Sequence, residues 1–485
     1  MSEVIEPKDV RIAVPSIASG MLIDGSIVGG EAFLEVINPA TGLPFALAPD
    51  ATRAQLENAV AAAGRAFPAW SATSFEERRA AIDRIAAKLR ERVDEIGAIL
   101  TAEQGKPLRD AVGEILRAAD NMEALAALDI SDQLLRDDGR ERVWMRHRPL
   151  GVVGGITPWN VPIGLAMVKV AQGLYTGNTL VLKPSPFTPL STLAVGQAIA
   201  DLVPAGVINI VSGGNALGAW ITGHPDIAKI SFTGSVATGR LVLQSAAATF
   251  KRVTLELGGN DPAIVLPDVD IATAAAGIVR STFANCGQVC MAIKRVYVHN
   301  SIRDEMIAAM VEQVRAIRIG PGDDPASTMG PIQNRMQFEK VAALIEDVRK
   351  SEGAQIVTGG TVHRGGGYFI EPTIVTGLSD DSPLVREEQF GPLMPVLVFD
   401  DIDDAVARAN GTEFGLGGSV WTRDLAAGRA VAERIEAGSV WVNRHLGNAK
   451  DVPFGGAKHS GYGREQGVAG MLSYTEMQAV AVPIG

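Results

Sequence analysis

At 485 residues the chain is too long to enclose one ordinary core, which predicts two or three domains. An apolar share of 47% and a charged share of 20% are those of a globular protein, and a formal net charge of −11 argues against a nucleic-acid-binding surface. The two cysteines, Cys286 and Cys290, exclude a disulfide framework. At that spacing they could chelate a metal, but the six histidines form no ligand-spaced cluster, so no metal is expected.

Met1–Glu6 is acidic and lacks the basic flank and apolar core of a signal peptide. No uninterrupted apolar run reaches about 18 residues, so no membrane contact and a cytoplasmic location are expected. From Ala51 to Leu128 the chain reads as successive Ala-rich amphipathic helices with charges on one face. From Gly151 short apolar strands alternate with helices, at Val152–Ile156, Thr179–Leu182, Val207–Val211, Ile230–Thr233 and Arg252–Leu255. A second alternating series follows at Ala263–Leu266, Arg295–His299, Thr373–Val375, Pro395–Phe399 and Ser439–Val442. Such alternation is the mark of parallel, doubly wound α/β sheets. Arg142–Arg148 and Ala479–Val482 are strand-like segments that neither series needs, and they could pair as a flap.

Two segments carry the chemistry. Leu255-Glu256-Leu257-Gly258-Gly259-Asn260 sets one carboxylate beside a flexible diglycine, and Asn285-Cys286-Gly287-Gln288-Val289-Cys290 ends a small, polar run in a thiol. A thiol nucleophile with a carboxylate base suffices to form and then hydrolyse a thioester. Cys286 competes with Cys290 as the nucleophile, and either could be an inert, buried cysteine. A Gly234-Ser235 pair between the strand at Ile230–Thr233 and a helix at Val236–Ala246 leaves N–H groups at a positive helix end, suited to a pyrophosphate, although an ordinary turn reads the same way.

Both segments, at this spacing, resemble the aldehyde dehydrogenase superfamily, and similar matches recur from about Pro158 to Glu476. The resemblance implies an α/β fold with three parts. These are a Rossmann-like NAD(P)-binding domain (1–125 and 147–257), an α/β catalytic domain (258–456) and a small β oligomerisation flap (126–146 and 457–485). It implies Cys290 as nucleophile, Glu256 as general base and Asn160, in Thr157-Pro158-Trp159-Asn160, as an oxyanion donor, although Asn160 could equally be a helix N-cap. Lys169 and Glu476 match further catalytic positions, Glu476 one proposed to relay a proton.

NAD or NADP is the implied cofactor. By the same resemblance Thr157, Pro158, Trp159, Lys183, Ser185, Pro186, Gly234, Ser235, Leu257, Gly258, Glu388 and Phe390 would hold it. Many relatives carry a Glu three residues after the lysine matching Lys183, whereas this chain has Pro186, which leaves the choice between the two cofactors open.

For the substrate, Val161, Leu165, Val168, Ala284, Val289, Met291, Leu446 and Phe454 would line the approach to the thiol. Relatives acting on succinic semialdehyde have arginines where this chain has Val168 and Ala284, and aromatics for an ammonium cage make up only 5% of the chain. An uncharged aliphatic or aromatic aldehyde is therefore expected. The alternatives are a semialdehyde held elsewhere, as by Arg444, and a non-catalytic protein on the same fold. The flap implies a homodimer or homotetramer.

Overall fold

The computed structural model describes residues 20–447 and 449–484; the stretch Met1–Glu6 lies outside them. Four helices, Arg53–Ser71, Phe75–Glu91, Val93–Gln104 and Leu108–Leu125, occupy the Ala-rich region. The first two open on capping boxes, Thr52 with Gln55 and Ser74 with Glu77, each closing two otherwise unpaired N–H groups.

Two large sheets follow. In the first, five parallel strands run in the order Ile208–Ile210, Thr179–Lys183, Val152–Ile156, Ile227–Thr233 and Arg252–Glu256. Antiparallel strands flank them, Met21–Ile23 and Ser26–Val28 at one edge and Gly461–Tyr462 at the other. The central strands are buried on both faces, so they read as unbroken apolar runs. Strand order reverses beside Val152–Ile156, and a crevice at the carboxyl ends of strands is where such sheets take ligands.

The second sheet has the order Gln355–Thr358, Thr373–Thr376, Leu393–Phe399, Ile293–His299, Asp261–Val265, Gly417–Trp421 and Ser439–Val442, parallel except at its first strand. Residues 257–260 join the carboxyl edge of the first sheet to the amino edge of the second. That short link sets the two sheets around one crevice.

Glu141–Pro149 pairs antiparallel with Thr475–Pro483, and Gln133–Asp137 adds a third strand. This sheet leaves Leu134, Leu135, Trp144, Met477 and Val482 exposed. The segment 457–474, grouped with the flap by sequence, lies elsewhere. Its strand Gly461–Tyr462 extends the first sheet, and Met471 and Tyr474 are fully buried in that sheet's core. The strand Gly417–Trp421 and the hairpin Ala32–Asn38 with Leu43–Asp50 were not expected from the sequence.

Candidate active site

The thiol segment begins where the helix Ile271–Phe283 stops. Asn285, Cys286 and Gly287 all take positive φ, a left-handed turn that reverses the chain. Gly287 has no alternative there, because a Cβ would stand 2.2 Å from the Gly391 carbonyl oxygen. The turn is fastened from three sides. Lys294 Nζ donates to the Gly287 carbonyl at 2.5 Å, the Gln333 backbone N–H donates to Gln288 Oε1 at 2.8 Å, and Asn160 Nδ2 donates to the Gln288 carbonyl at 2.9 Å.

The two cysteines part company. Cys286 is 2% exposed and packs in the core of the second sheet, where burial pushes its thiol up to about 12. Cys290 is half-buried at the crevice. Its thiol also stands at about 12, through burial first and then the carboxylates of Glu388, Asp261 and Glu256.

The diglycine lies directly behind it. A Cβ on Gly259 would stand 2.5 Å from the Cys290 carbonyl oxygen, and one on Gly258 would stand 2.4 Å from Glu388 Oε2. The Gly259 N–H donates to Glu388 Oε1 at 3.0 Å. Lys294, 1% exposed, lies 5.4 Å from the centre of the Phe390 ring. Burial lowers its ammonium to about 8, while Glu388 and Asp261 oppose the shift. Phe390 meets Trp159 edge-on at 5.3 Å.

Asn160 is not a helix N-cap. Val161 holds that position before Pro162–Tyr175, while the Asn160 side chain is turned onto the thiol loop. Its carbonyl accepts from Asn285 Nδ2 and Lys106 Nζ, both at 3.0 Å. Lys106 is also paired with the buried Glu114, whose Oε1 accepts the Ile163 and Gly164 N–H groups at 3.0 and 3.1 Å. This Lys106–Glu114 pair, which fixes the Asn160 turn, was not foreseen from the sequence.

Glu256 ends its strand 3% exposed, with no side-chain hydrogen-bond partner among the described residues. Burial, and next the Glu465 carboxylate, raise it well above the usual carboxylate range, against the pull of Lys169 and Arg464. Lys169 Nζ donates to Glu465 Oε1 at 2.5 Å and to the hydroxyls of Ser231 and Thr233 at 3.0 and 2.9 Å. Glu476, expected in this role, is exposed and ion-paired to Arg252 at 2.6 Å. The carboxylate beside Lys169 is Glu465, a residue eleven positions earlier that the sequence reading passed over.

Most of the expected nucleotide residues share the carboxyl edge of the first sheet. Thr157 donates its N–H to the Lys183 carbonyl at 3.0 Å. Lys183 is 4% exposed, its ammonium is lowered to about 8 by burial, and among the described residues it is bonded only to the neighbouring Pro184 carbonyl. Its remaining N–H groups suit a hydroxyl or phosphate oxygen. Ser235 caps the helix Val236–Ala247, and Leu257 lies against Gly239 of that helix, where a Cβ would approach to 2.6 Å. Ser185 and Pro186 follow Lys183 at the same edge, and no carboxylate stands at Pro186.

A cavity of about 520 Å³ opens toward the thiol loop between the helices Leu108–Leu125 and Ile271–Phe283. Of the expected substrate residues, Val161, Ala284 and Val289 line it, joined by Phe283. Leu165, Val168, Met291, Leu446 and Phe454 stand outside its wall, Val168 because it points into the core of the first sheet. Arg444 is also outside it. Among the described residues no group of His, Cys, Asp or Glu is placed to hold a metal ion, and no helix is long and apolar enough to cross a membrane.

A doubly wound sheet whose carboxyl edge borders a second parallel sheet is the architecture of nucleotide-dependent oxidoreductases. The particular family follows from comparison with known proteins. The chain belongs to the aldehyde dehydrogenase family, whose sequence profile matches residues 28–480. A betaine aldehyde dehydrogenase of Rhizobium leguminosarum bv. trifolii is 40% identical over 475 residues, covering 96% of this chain and 97% of that protein. The crystal structure of an E. coli NADP-dependent enzyme, 36% identical, superposes with a TM-score of 0.93 over 96% of this chain and 98% of its own. Betaine aldehyde dehydrogenase from Staphylococcus aureus, solved in complex with NAD+, is 31% identical with a TM-score of 0.92, covering 96% and 95%.

The surroundings of Cys290 make one direct prediction. Without nucleotide, three carboxylates and burial keep the thiol protonated, so alkylation of the Cys290 peptide by iodoacetamide should be slow near neutrality. It should climb about tenfold per unit between roughly pH 7 and 10. A plateau near the ordinary thiol value of 9.0 would contradict this.

Proposed function

We propose that the enzyme oxidises an aldehyde to its carboxylic acid, with NAD or NADP, through a thiohemiacetal and a thioester on Cys290. The observation that carries this reading is the meeting of Cys290, Gly259 and Glu388 at van der Waals limits beside Asn160. The Cys290 sulfur adds to the aldehyde carbon, and the oxygen takes up negative charge. Asn160 Nδ2 has a second N–H beyond the one given to Gln288, and with the Cys290 backbone N–H it would receive that charge.

When bound, the nicotinamide supplies the hydride acceptor. Glu388 would orient its ribose, Phe390 and Trp159 would border the ring, and Lys183, Ser185 and the helix start at Ser235 would receive ribose and phosphates. Thr157, Pro158, Leu257 and Gly258 would complete the crevice wall. Glu256 would then take a proton from the water that hydrolyses the thioester, passing it toward Glu465 and Lys169, which hold Ser231 between them. The inner cavity wall of Val161, Phe283, Ala284 and Val289 suits an uncharged aliphatic or aromatic body next to the carbonyl. It offers a quaternary ammonium group a single aromatic ring, too little for a cage. A cytoplasmic setting fits two free thiols, which would stay reduced there.

The direct test is the rise of reduced-cofactor absorbance with an aldehyde panel. Cys290→Ala should abolish turnover while Cys286→Ala keeps most of it, since Cys286 only fills core volume. Equal activity in the two variants would refute Cys290.

Glu256→Gln should give one burst of reduced cofactor and then stall, with the acyl adduct visible by intact mass. In the wild type, deacylation should be lost as pH falls through the raised Glu256 value, an acid limb lying above the ordinary 4.5. Steady turnover by Glu256→Gln would remove this residue from the base role.

Pro186 brings no carboxylate against a 2′-phosphate, so NADP should serve as well as NAD, and Pro186→Glu should penalise NADP. Wild-type discrimination beyond about 10³ in kcat/KM, roughly 4 kcal/mol, would place selectivity elsewhere.

Finally, the flap with exposed Leu134, Leu135, Trp144 and Met477 is suited to cover a second copy of itself. Sedimentation at micromolar concentration should give a dimer or tetramer, and a fully active 50.9 kDa monomer would rule out a bridging flap.

A further inference from the structure

The cavity beside the thiol loop, lined by Asn285 and Val289 of that loop, has two zones. Val161, Phe283, Ala284 and Val289 make its inner wall apolar, whereas Arg109, Arg117 and Arg280 stand at its mouth. Arg280 lies four residues before Ala284, one helical turn of about 5–6 Å outward along the same wall.

The charges at the mouth are not balanced. Lys106 is satisfied by Glu114, which is itself fully engaged by two backbone N–H groups. Asp110 answers Arg109 across 3.8 Å. Arg117 and Arg280 have no carboxylate within ion-pair distance among the described residues. The cavity wall thus carries four cations against two carboxylates, on a chain whose formal net charge is −11. Lys450, half-buried, adds to the excess. Burial, and after it Arg117, hold its ammonium below the usual range, and no carboxylate offsets them. Asp110 also acts on Arg117, but cations in excess of the carboxylates at the entrance of a pocket repel one another, and an anion would relieve them.

Resting on the aldehyde oxidation read above, we propose that this mouth selects aldehydes with a carboxylate at the far end, an apolar body between the two groups, and Arg117 and Arg280 as its holders. This departs from the uncharged aldehyde expected from the sequence and keeps only its apolar body, which the inner zone would hold. A cationic aldehyde would meet repulsion at the entrance. Because the arginines are exposed, the attraction acts mainly on KM and is screened by salt.

The test uses the full-length enzyme with NAD or NADP and pairs of aldehydes matched in length. These are succinic semialdehyde against butanal, adipic semialdehyde against hexanal, and para-carboxybenzaldehyde against para-methylbenzaldehyde. At low salt at least one acid should exceed its neutral partner by about tenfold or more in kcat/KM, through KM, and the advantage should shrink severalfold in roughly 0.5 M salt. Arg117→Met and Arg280→Met should each lower that ratio, and Arg280→Lys should keep most of it. The ratio is taken within one preparation, so partial misfolding does not mimic the effect. If neutral aldehydes turn over but every ratio is one or less, the inference falls and the aldehyde oxidation stands. If no aldehyde of any pair reduces either cofactor, the aldehyde oxidation falls and the inference with it.

Discussion

Where the chain leaves the first sheet for the second it passes through Gly258 and Gly259, two positions where a side chain would collide with the site itself. A methyl carbon on Gly259 would meet the Cys290 carbonyl, and one on Gly258 would meet the Glu388 carboxylate. The link therefore does more than connect. Its missing side chains let the thiol loop and the Glu388 turn, both from the second sheet, close on the end of the strand that carries Glu256. The left-handed turn at Asn285–Gly287 and the Lys294 bond to it hold the thiol loop in the same place from the other side.

Around this contact the protein keeps several ionisable groups away from water. Buried carboxylates and ammoniums normally shift toward their neutral forms unless each finds a partner. Here some find partners and some do not. Lys169 is bound to Glu465 and two hydroxyls, and Lys106 to Glu114, so these pairs are fixed structure. Glu256 has no such side-chain partner and Cys290 is surrounded by carboxylates. In the thioester chemistry proposed above, Glu256 and Cys290 are the groups whose protonation would change, while the paired ones hold the frame.

Much of this was legible in the sequence because parallel strands buried on both faces leave continuous apolar runs between turn residues. The strands at Val152–Ile156 and Ser439–Val442 were read to the residue. Gly417–Trp421 escaped because two glycines open it and break the apolar run, although it is wholly buried. The exposed hairpin at Ala32–Asp50 escaped because its alternation is irregular and broken by a register shift. In the site, Cys290 and Glu256 stood in motifs that read as a thiol nucleophile and a carboxylate base, while the role of Asn160 came only from the family resemblance. Glu465 stood in no such motif, since Arg464-Glu465-Gln466-Gly467 reads as a charged loop, and only the folding of that loop under the first sheet buries its carboxylate. Arg109 and Arg117 fall in the helical region whose charges read as one solvated face; Arg280 comes from a helix distant in sequence, so their shared cavity arises only on folding.

Glu465 and the flap strand Thr475–Pro483 are separated only by Gln466, the short helix Gly467–Leu472, Ser473 and Tyr474, whose carbonyl is held by Asn178 Nδ2 at 2.9 Å. The segment works as a tether with the Lys169 pair at one end and the flap at the other. Slack introduced in the flap strand has almost no chain in which to dissipate before it reaches Glu465. Under the roles proposed above, the assembly surface and the proton path would share this one stretch of chain, so loosening assembly should blur the pH response of hydrolysis before it touches the thiol.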